Sequence, residues 1–224
     1  MERRKAMMLG GIGGAIGAVL VLGGVLNFGG GDGLPEIGAA NAEEAAQIDT
    51  SGVVEMVMGQ PDAPVTVIEY ASFTCPHCAT FHLGPSQRLK AEYVETGKVQ
   101  LIYRDVYFDR PGLWAALVAR CEPTRFFGMT EMLYRQQRDW IGSGDPAEIA
   151  ANLRRLGIAA GLEPEQVDAC LSDADSAQMH YAWFQANAAA DEINSTPSLV
   201  INGQKYSNMS WADLSSLIDG KLPQ

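Results

Sequence analysis

The apolar positions along the chain fall into three regimes. Residues 6–28 form one uncharged stretch, about the length a helix needs to cross a hydrocarbon core. Residues 65–70, Val-Thr-Val-Ile-Glu-Tyr, are β-branched and preceded by Pro64, which reads as a strand. Residues 53–58 give a weaker strand before it. After Cys78 the spacing becomes helical through Phe81, Leu83, Leu89 and Tyr93, ends near Gly97, and should kink at Gly84-Pro85. Residues 99–106 predict the next strand.

From Pro111 to about Ala190 the period is helical throughout. Leu113 and Leu117 start the first stripe. Phe126, Met129, Leu133 and Trp140 mark a second helix, and Ile149, Leu153 and Leu156 a third. A short helix follows Pro164 with Val167 and Leu171 on one face, and a longer one carries Ala177, Tyr181, Phe184 and Ala188. Leu199 to Ile201, a turn at Asn202-Gly203 and Lys205-Tyr206 predict a hairpin, and a last helix spans about Trp211 to Ile218. The order is β-α-β, a helical block, then β-β-α.

Arg3, Arg4 and Lys5 precede the first apolar stretch. A basic flank there orients the segment with its N-terminus inside and sends the rest out of the cytoplasm. Two readings stay open, an uncleaved anchor holding the protein at the membrane and a cleaved signal peptide. Ala40-Asn41-Ala42 has the small-x-small form of a cleavage site, but it lies well beyond Phe28, with Asp32, Pro35 and Glu36 between. Either reading means export. Residues 29–50, rich in glycine and alanine, read as a flexible linker. The domain division is therefore 1–28 anchor or signal, 29–50 linker, 51–110 with 191–224 as one domain, and 111–190 as a helical domain inserted in it.

The formal charge of the 224-residue chain is −11, and no basic stripe appears, so a nucleic-acid partner is not expected. The four cysteines are Cys75, Cys78, Cys121 and Cys170, too few for a small disulfide-stapled scaffold. The first two stand in Ser72-Phe73-Thr74-Cys75-Pro76-His77-Cys78, directly after the strand ending near Tyr70. Proline is favoured at the first position of a helix. That makes Cys75 the N-cap and puts its sulfur where backbone N–H groups and the helix dipole favour a thiolate. His77, if protonated, adds a positive charge, and Cys78 lies one turn in, more buried. A stable structural disulfide and a zinc site from Cys75, His77, Cys78 and His82 are the competing readings, but the second ligand pair of such zinc sites is missing. Strand–CxxC–helix at the head of a β-α-β unit favours redox chemistry, with no metal and no organic cofactor.

On these features the sequence resembles the DsbA family of thioredoxin-fold thiol–disulfide oxidoreductases. Cys75-Pro76-His77-Cys78, the strand Val67-Ile68-Glu69-Tyr70 and the position of the helical block carry the likeness from about Val53 to Leu222. The resemblance implies an α/β thioredoxin-like fold with an inserted all-helical domain behind the N-terminal hydrophobic helix. It also implies a cis-proline loop at Ser195-Thr196-Pro197-Ser198, with Thr196 and Pro197 binding substrate. Cys75 would carry the mixed disulfide and Cys78 resolve it. Glu69 would be a buried acid beneath the dithiol serving proton transfer, its alternative being an edge residue facing solvent. Some members carry an extra cysteine pair in the helical domain. Cys121 and Cys170, both on apolar faces of that block, would form a disulfide suited to an oxidising compartment, or remain two separate buried thiols. The implied activity is oxidation of cysteine pairs in unfolded exported proteins, with reoxidation by a DsbB-type quinone-linked membrane partner, in the periplasm or on the outer face of the inner membrane. The alternatives are a disulfide isomerase or reductase, and a metal-binding or chaperone-like module without redox turnover.

Overall fold

The computed structural model describes residues 48–223; the predicted N-terminal membrane helix or signal and most of the linker lie outside them. Among the described residues no helix is long and apolar enough to cross a membrane.

Five strands form one mixed sheet in the order β1-β3-β2-β4-β5. They are β1 (Met56–Met58), β2 (Val65–Ala71), β3 (Val99–Asp105), β4 (Ser198–Ile201) and β5 (Gln204–Ser207). Only β2 and β3 run parallel. They are joined by helices α1 (Pro76–Leu83) and α2 (Pro85–Leu89) and a π-helical turn, Lys90–Val94, the crossover that a parallel pair requires. The chain breaks between α1 and α2 at Gly84, before Pro85, where the kink was expected. β1 begins later than the pattern at residues 53–58 suggests, because the Val54 carbonyl accepts a hydrogen bond from Arg120 Nη1 at 2.9 Å instead of joining the ladder.

Between β3 and β4 the chain is helical: α3 (Arg110–Arg120), a 3-10 turn, α4 (Phe126–Arg135), α5 (Gln137–Ile141), α6 (Pro146–Ala159), α7 (Pro164–Ser172) and α8 (Ala174–Ala190). Asp109, Asp145 and Asp173 cap α3, α6 and α8 by accepting the amides of Gly112, Glu148 and Ser176. The single helix expected through Phe126 and Trp140 is two. At Gln136 the backbone leaves helical values (φ −107, ψ 21), and Trp140 Nε1 donates to the Leu133 carbonyl at 2.9 Å across the break. The hydrophobic spacing runs on through the break, so it could not signal it.

The helical segment shares its core with the sheet. One continuous cluster joins Phe73, Cys78 and Tyr103 to Leu117, Phe126, Met129, Leu133, Leu153 and Val167. A second joins Val65, Val67, Leu101, Leu199 and Ile201 to Phe81, Leu89 and the last helix, α9 (Trp211–Asp219), through Leu214 and Ile218. The pleat sends Tyr70 and Val200 to the opposite face, where they meet Phe184 of α8. Asn202 (φ 49) and Gly203 (φ 80) both have positive φ in the β4–β5 hairpin, the pair that a type I′ turn needs.

Candidate functional site

β2 delivers the chain to the site and α1 receives it. Pro76 is the first residue of α1 and Cys75 its N-cap, with extended backbone (φ −79, ψ 119). Cys75 is half-buried and Cys78 is fully buried; the two are not bonded to each other. Pro76 and His77 are exposed. The sulfur of Cys75 does not make the capping bond expected of it. Its thiol instead faces the Thr196 carbonyl, at 3.6 Å. The Thr196–Pro197 peptide bond is cis, and this loop lies directly against the Cys75 sulfur.

The two thiols sit in opposite electrostatic surroundings. Burial alone would raise the pKa of Cys75. The Thr196 side chain, the amides of Cys78 and His77, which lie near the sulfur without closing a cap bond, and a hydrogen bond with the Cys78 thiol outweigh it and hold Cys75 below the ordinary thiol value. Burial pushes Cys78 strongly upward, and the neighbouring Cys75 charge adds to the rise. Of the two thiols, Cys75 is thus the one that ionises first, with Cys78 held neutral beside it.

Glu69 lies on β2 between Tyr103 of β3 and Leu199 of β4. It is 1% exposed, which removes the solvent-facing alternative. Ser86 Oγ donates to its Oε2 at 3.4 Å, while Oε1 has no partner among the described residues. Burial raises its pKa from 4.5 to about 7, against the opposing pull of Lys90 and the Ser86 bond. A carboxyl with its pKa raised to about 7 therefore sits inside the sheet, on the strand that leads to Cys75.

His82 belongs to a different cluster. It is buried, its Nε2 lies 3.0 Å from Glu131 Oε2, and Gln87 Nε2 donates to the same oxygen at 2.6 Å. Burial, with Lys90 nearby, lowers the His82 pKa to about 4 although Glu131 pulls the other way. Among the described residues no three His, Cys, Asp or Glu side chains are grouped to hold a metal ion. Cys121, the C-cap of α3, and Cys170 of α7 are joined in a disulfide with Cα atoms 5.8 Å apart.

Several residues that hold the site escaped the sequence reading. Thr74 Oγ1 donates to Asp109 Oδ2 at 2.8 Å, so the cap of α3 also anchors the loop before Cys75. Tyr134 Oη donates to the Ser72 carbonyl at 3.3 Å and shares a 2.6 Å hydrogen bond with Tyr103 Oη. Gln137 Nε2 donates to the carbonyls of Phe73 and Cys75. Of these, only Asp109 carried a local signal, an acidic residue just before Arg110-Pro111 in the style of an N-cap.

Known proteins resemble this chain in sequence and in fold. The family model described as Thioredoxin matches residues 51–220. A Rickettsia bellii relative, provisionally named a protein-disulfide oxidoreductase, is 32% identical over 172 residues, covering 76% of this chain and 65% of that protein. The chain thus spans slightly under two thirds of the relative's length. Among solved structures, alpha-DsbA1 of Wolbachia pipientis superposes with a TM-score of 0.68 at 24% identity, covering 74% of this chain and 89% of that one. A protein-disulfide isomerase from Novosphingobium aromaticivorans gives 0.68 at 26% identity, with 76% and 98% covered.

Proposed function

Because this chain belongs to the thioredoxin family, we propose that it is a DsbA-type thiol–disulfide oxidoreductase working as an oxidase of exported proteins. The observation that carries the reading is the asymmetry of the pair: a half-exposed, thiolate-favouring Cys75 against the Thr196–Pro197 loop, and a buried, neutral Cys78.

The reaction starts from the Cys75–Cys78 disulfide. A substrate thiolate attacks the accessible sulfur of Cys75, the protein disulfide breaks, and Cys78 leaves and takes up a proton. A second substrate thiolate then attacks the substrate sulfur of the mixed disulfide. The substrate disulfide forms, Cys75 leaves as a thiolate, and two electrons have passed to the protein. A low leaving-group pKa speeds this last step, so the surroundings that stabilise the Cys75 thiolate also favour release. If the mixed disulfide stalls, Cys78 can attack it and discharge the substrate unchanged. Glu69, titrating near neutrality, would exchange the proton that Cys78 gains and loses, and Thr196 and Pro197 would align the extended peptide. Reoxidation would fall to a DsbB-type membrane partner on the outer side of the inner membrane, with the chain held by its N-terminal segment or released by cleavage.

A redox titration against glutathione tests the direction of the chemistry. The expected potential lies near about −120 mV, the strongly oxidising end of the fold, and rapid oxidation of a reduced, unfolded substrate should accompany it. A value near about −270 mV would make the protein a reductase. An oxidising potential with little net oxidation but fast reshuffling of scrambled disulfides would favour the isomerase reading suggested by the Novosphingobium neighbour's name.

A further inference from the structure

Between β2 and α1 the chain runs through four residues, Ser72 to Cys75, that belong to neither element. Buried carbonyls in such a passage need donors from outside the local ladder. The Phe73 carbonyl gets its donor from a side chain that also reaches the Cys75 carbonyl, beside the Ala79 amide: Gln137 Nε2 donates to Phe73 at 2.8 Å and to Cys75 at 3.0 Å. Gln137 is only 7% exposed, and these two bonds use both hydrogens of its amide nitrogen. It is the first residue of α5, so the break at Gln136 is what brings it there. α5 is fixed in turn from α6, where Asn152 Nδ2 donates to the carbonyls of Asp139 (3.3 Å) and Trp140 (3.1 Å).

We propose that Gln137 is a positioning residue for Cys75. Its carboxamide fixes the backbone of Cys75 so that the sulfur faces Thr196 and the amides of α1, and it sets the positive end of a dipole next to the reacting residue. The proposal rests on the reading of Cys75 as the attacking thiol. Without Gln137 the Cys75 carbonyl keeps only the longer bond from the Ala79 amide, at 3.2 Å. The negative end of that carbonyl would then be less neutralised beside the thiolate. A brace that serves packing alone stabilises both redox forms equally, whereas one that positions the thiolate stabilises the reduced form more.

The experiment uses the full-length chain and two variants: Gln137→Met, which keeps length and removes both donors, and Gln137→Glu, which keeps shape and adds negative charge. The pH dependence of Cys75 alkylation should show its pKa raised in both, further in Gln137→Glu. The equilibrium with glutathione should move about three- to tenfold toward the protein disulfide, the factor given by one hydrogen bond of ordinary net strength. In the unmutated reduced protein, the Gln137 side-chain amide resonances should shift as Cys75 ionises, a measurement that does not depend on either variant folding. Variants that lose thermal stability equally in both redox forms with an unchanged alkylation profile would overturn the proposal, as would amide resonances that stay flat through the titration. A native Cys75 with no lowered pKa would be a different failure, taking down the functional reading itself.

Discussion

The molecule holds two cysteine pairs, and their surroundings give them opposite properties. Cys75 and Cys78 occupy one helical turn, one half-exposed and the other buried, their pKa values pushed apart. Cys121 and Cys170 are 49 residues apart in sequence and tie the end of α3 to α7. Those helices pack on α6 at Gly157, where an added Cβ would come within 2.9 Å of Val167 and 3.1 Å of Val118. The second pair staples a close-packed helical corner. The same side chain thus stands as two unequal thiols at the head of α1, and as a closed bond where it joins two helices.

The largest expected effects separate the pairs by what is lost. Cys75→Ser and Cys78→Ser should each abolish oxidation of reduced substrates, because neither chain can form the reactive disulfide. The lone Cys75 thiolate of Cys78→Ser should attack a disulfide-bonded substrate and stay trapped as a mixed disulfide, visible on non-reducing gels. Replacing Cys121 and Cys170 together by alanine should cost about 4 kcal/mol of stability in the chain-entropy account of a 49-residue separation. The pH profile of Cys75 alkylation should not move. A displaced profile in that variant would mean that the two pairs are coupled and the contrast between them is false.

Glu69 gives the next effect. Its rise from 4.5 to about 7 corresponds to on the order of 3 kcal/mol. The raised value means that the favourable protonated state is fully present below pH 4.5 and is lost as pH rises through about 7. Glu69→Gln should therefore stabilise the fold by roughly 2–3 kcal/mol at pH 8 and much less at pH 5, in both redox forms. Denaturation at the two pH values checks this; a benefit that does not depend on pH would contradict it. Turnover should slow in the same variant. The smallest effect belongs to Asp109→Ala, which removes the cap of α3 and the Thr74 anchor. A loss of about 1 kcal/mol is expected by urea denaturation.

How much of this was legible depended on distance along the chain. The β2–α1 junction could be read because a β-branched strand, Cys75 and Pro76 are adjacent, so propensity, cap and helix start reinforce one another. The β4–β5 turn could be read from Asn202-Gly203 alone. The split at Gln136 could not, since Phe126, Met129, Leu133 and Trp140 keep helical spacing through it. Gln137 and Tyr134 were invisible as site residues because their partners, Phe73, Cys75 and Ser72, lie some sixty positions away, and no local pattern encodes such a pairing. Glu69 stood out as an acid in an apolar strand, but its burial and its raised pKa depend on what α2 and β3 place around it.

The central claim is that the Cys75 thiolate makes the reduced form the more stable one. A lowered pKa in an acidic group gives stability that is complete above the unfolded thiol value and is lost as pH falls through the folded value. Glu69 titrates in both redox forms, so its contribution largely cancels in their difference. Calorimetry of the reduced and oxidised protein from pH 4 to pH 8 isolates the term. The reduced form should unfold at the higher temperature at pH 7, with the gap closing as the solution is acidified. An oxidised form that is the more stable at pH 7, or a gap indifferent to pH, would contradict the account.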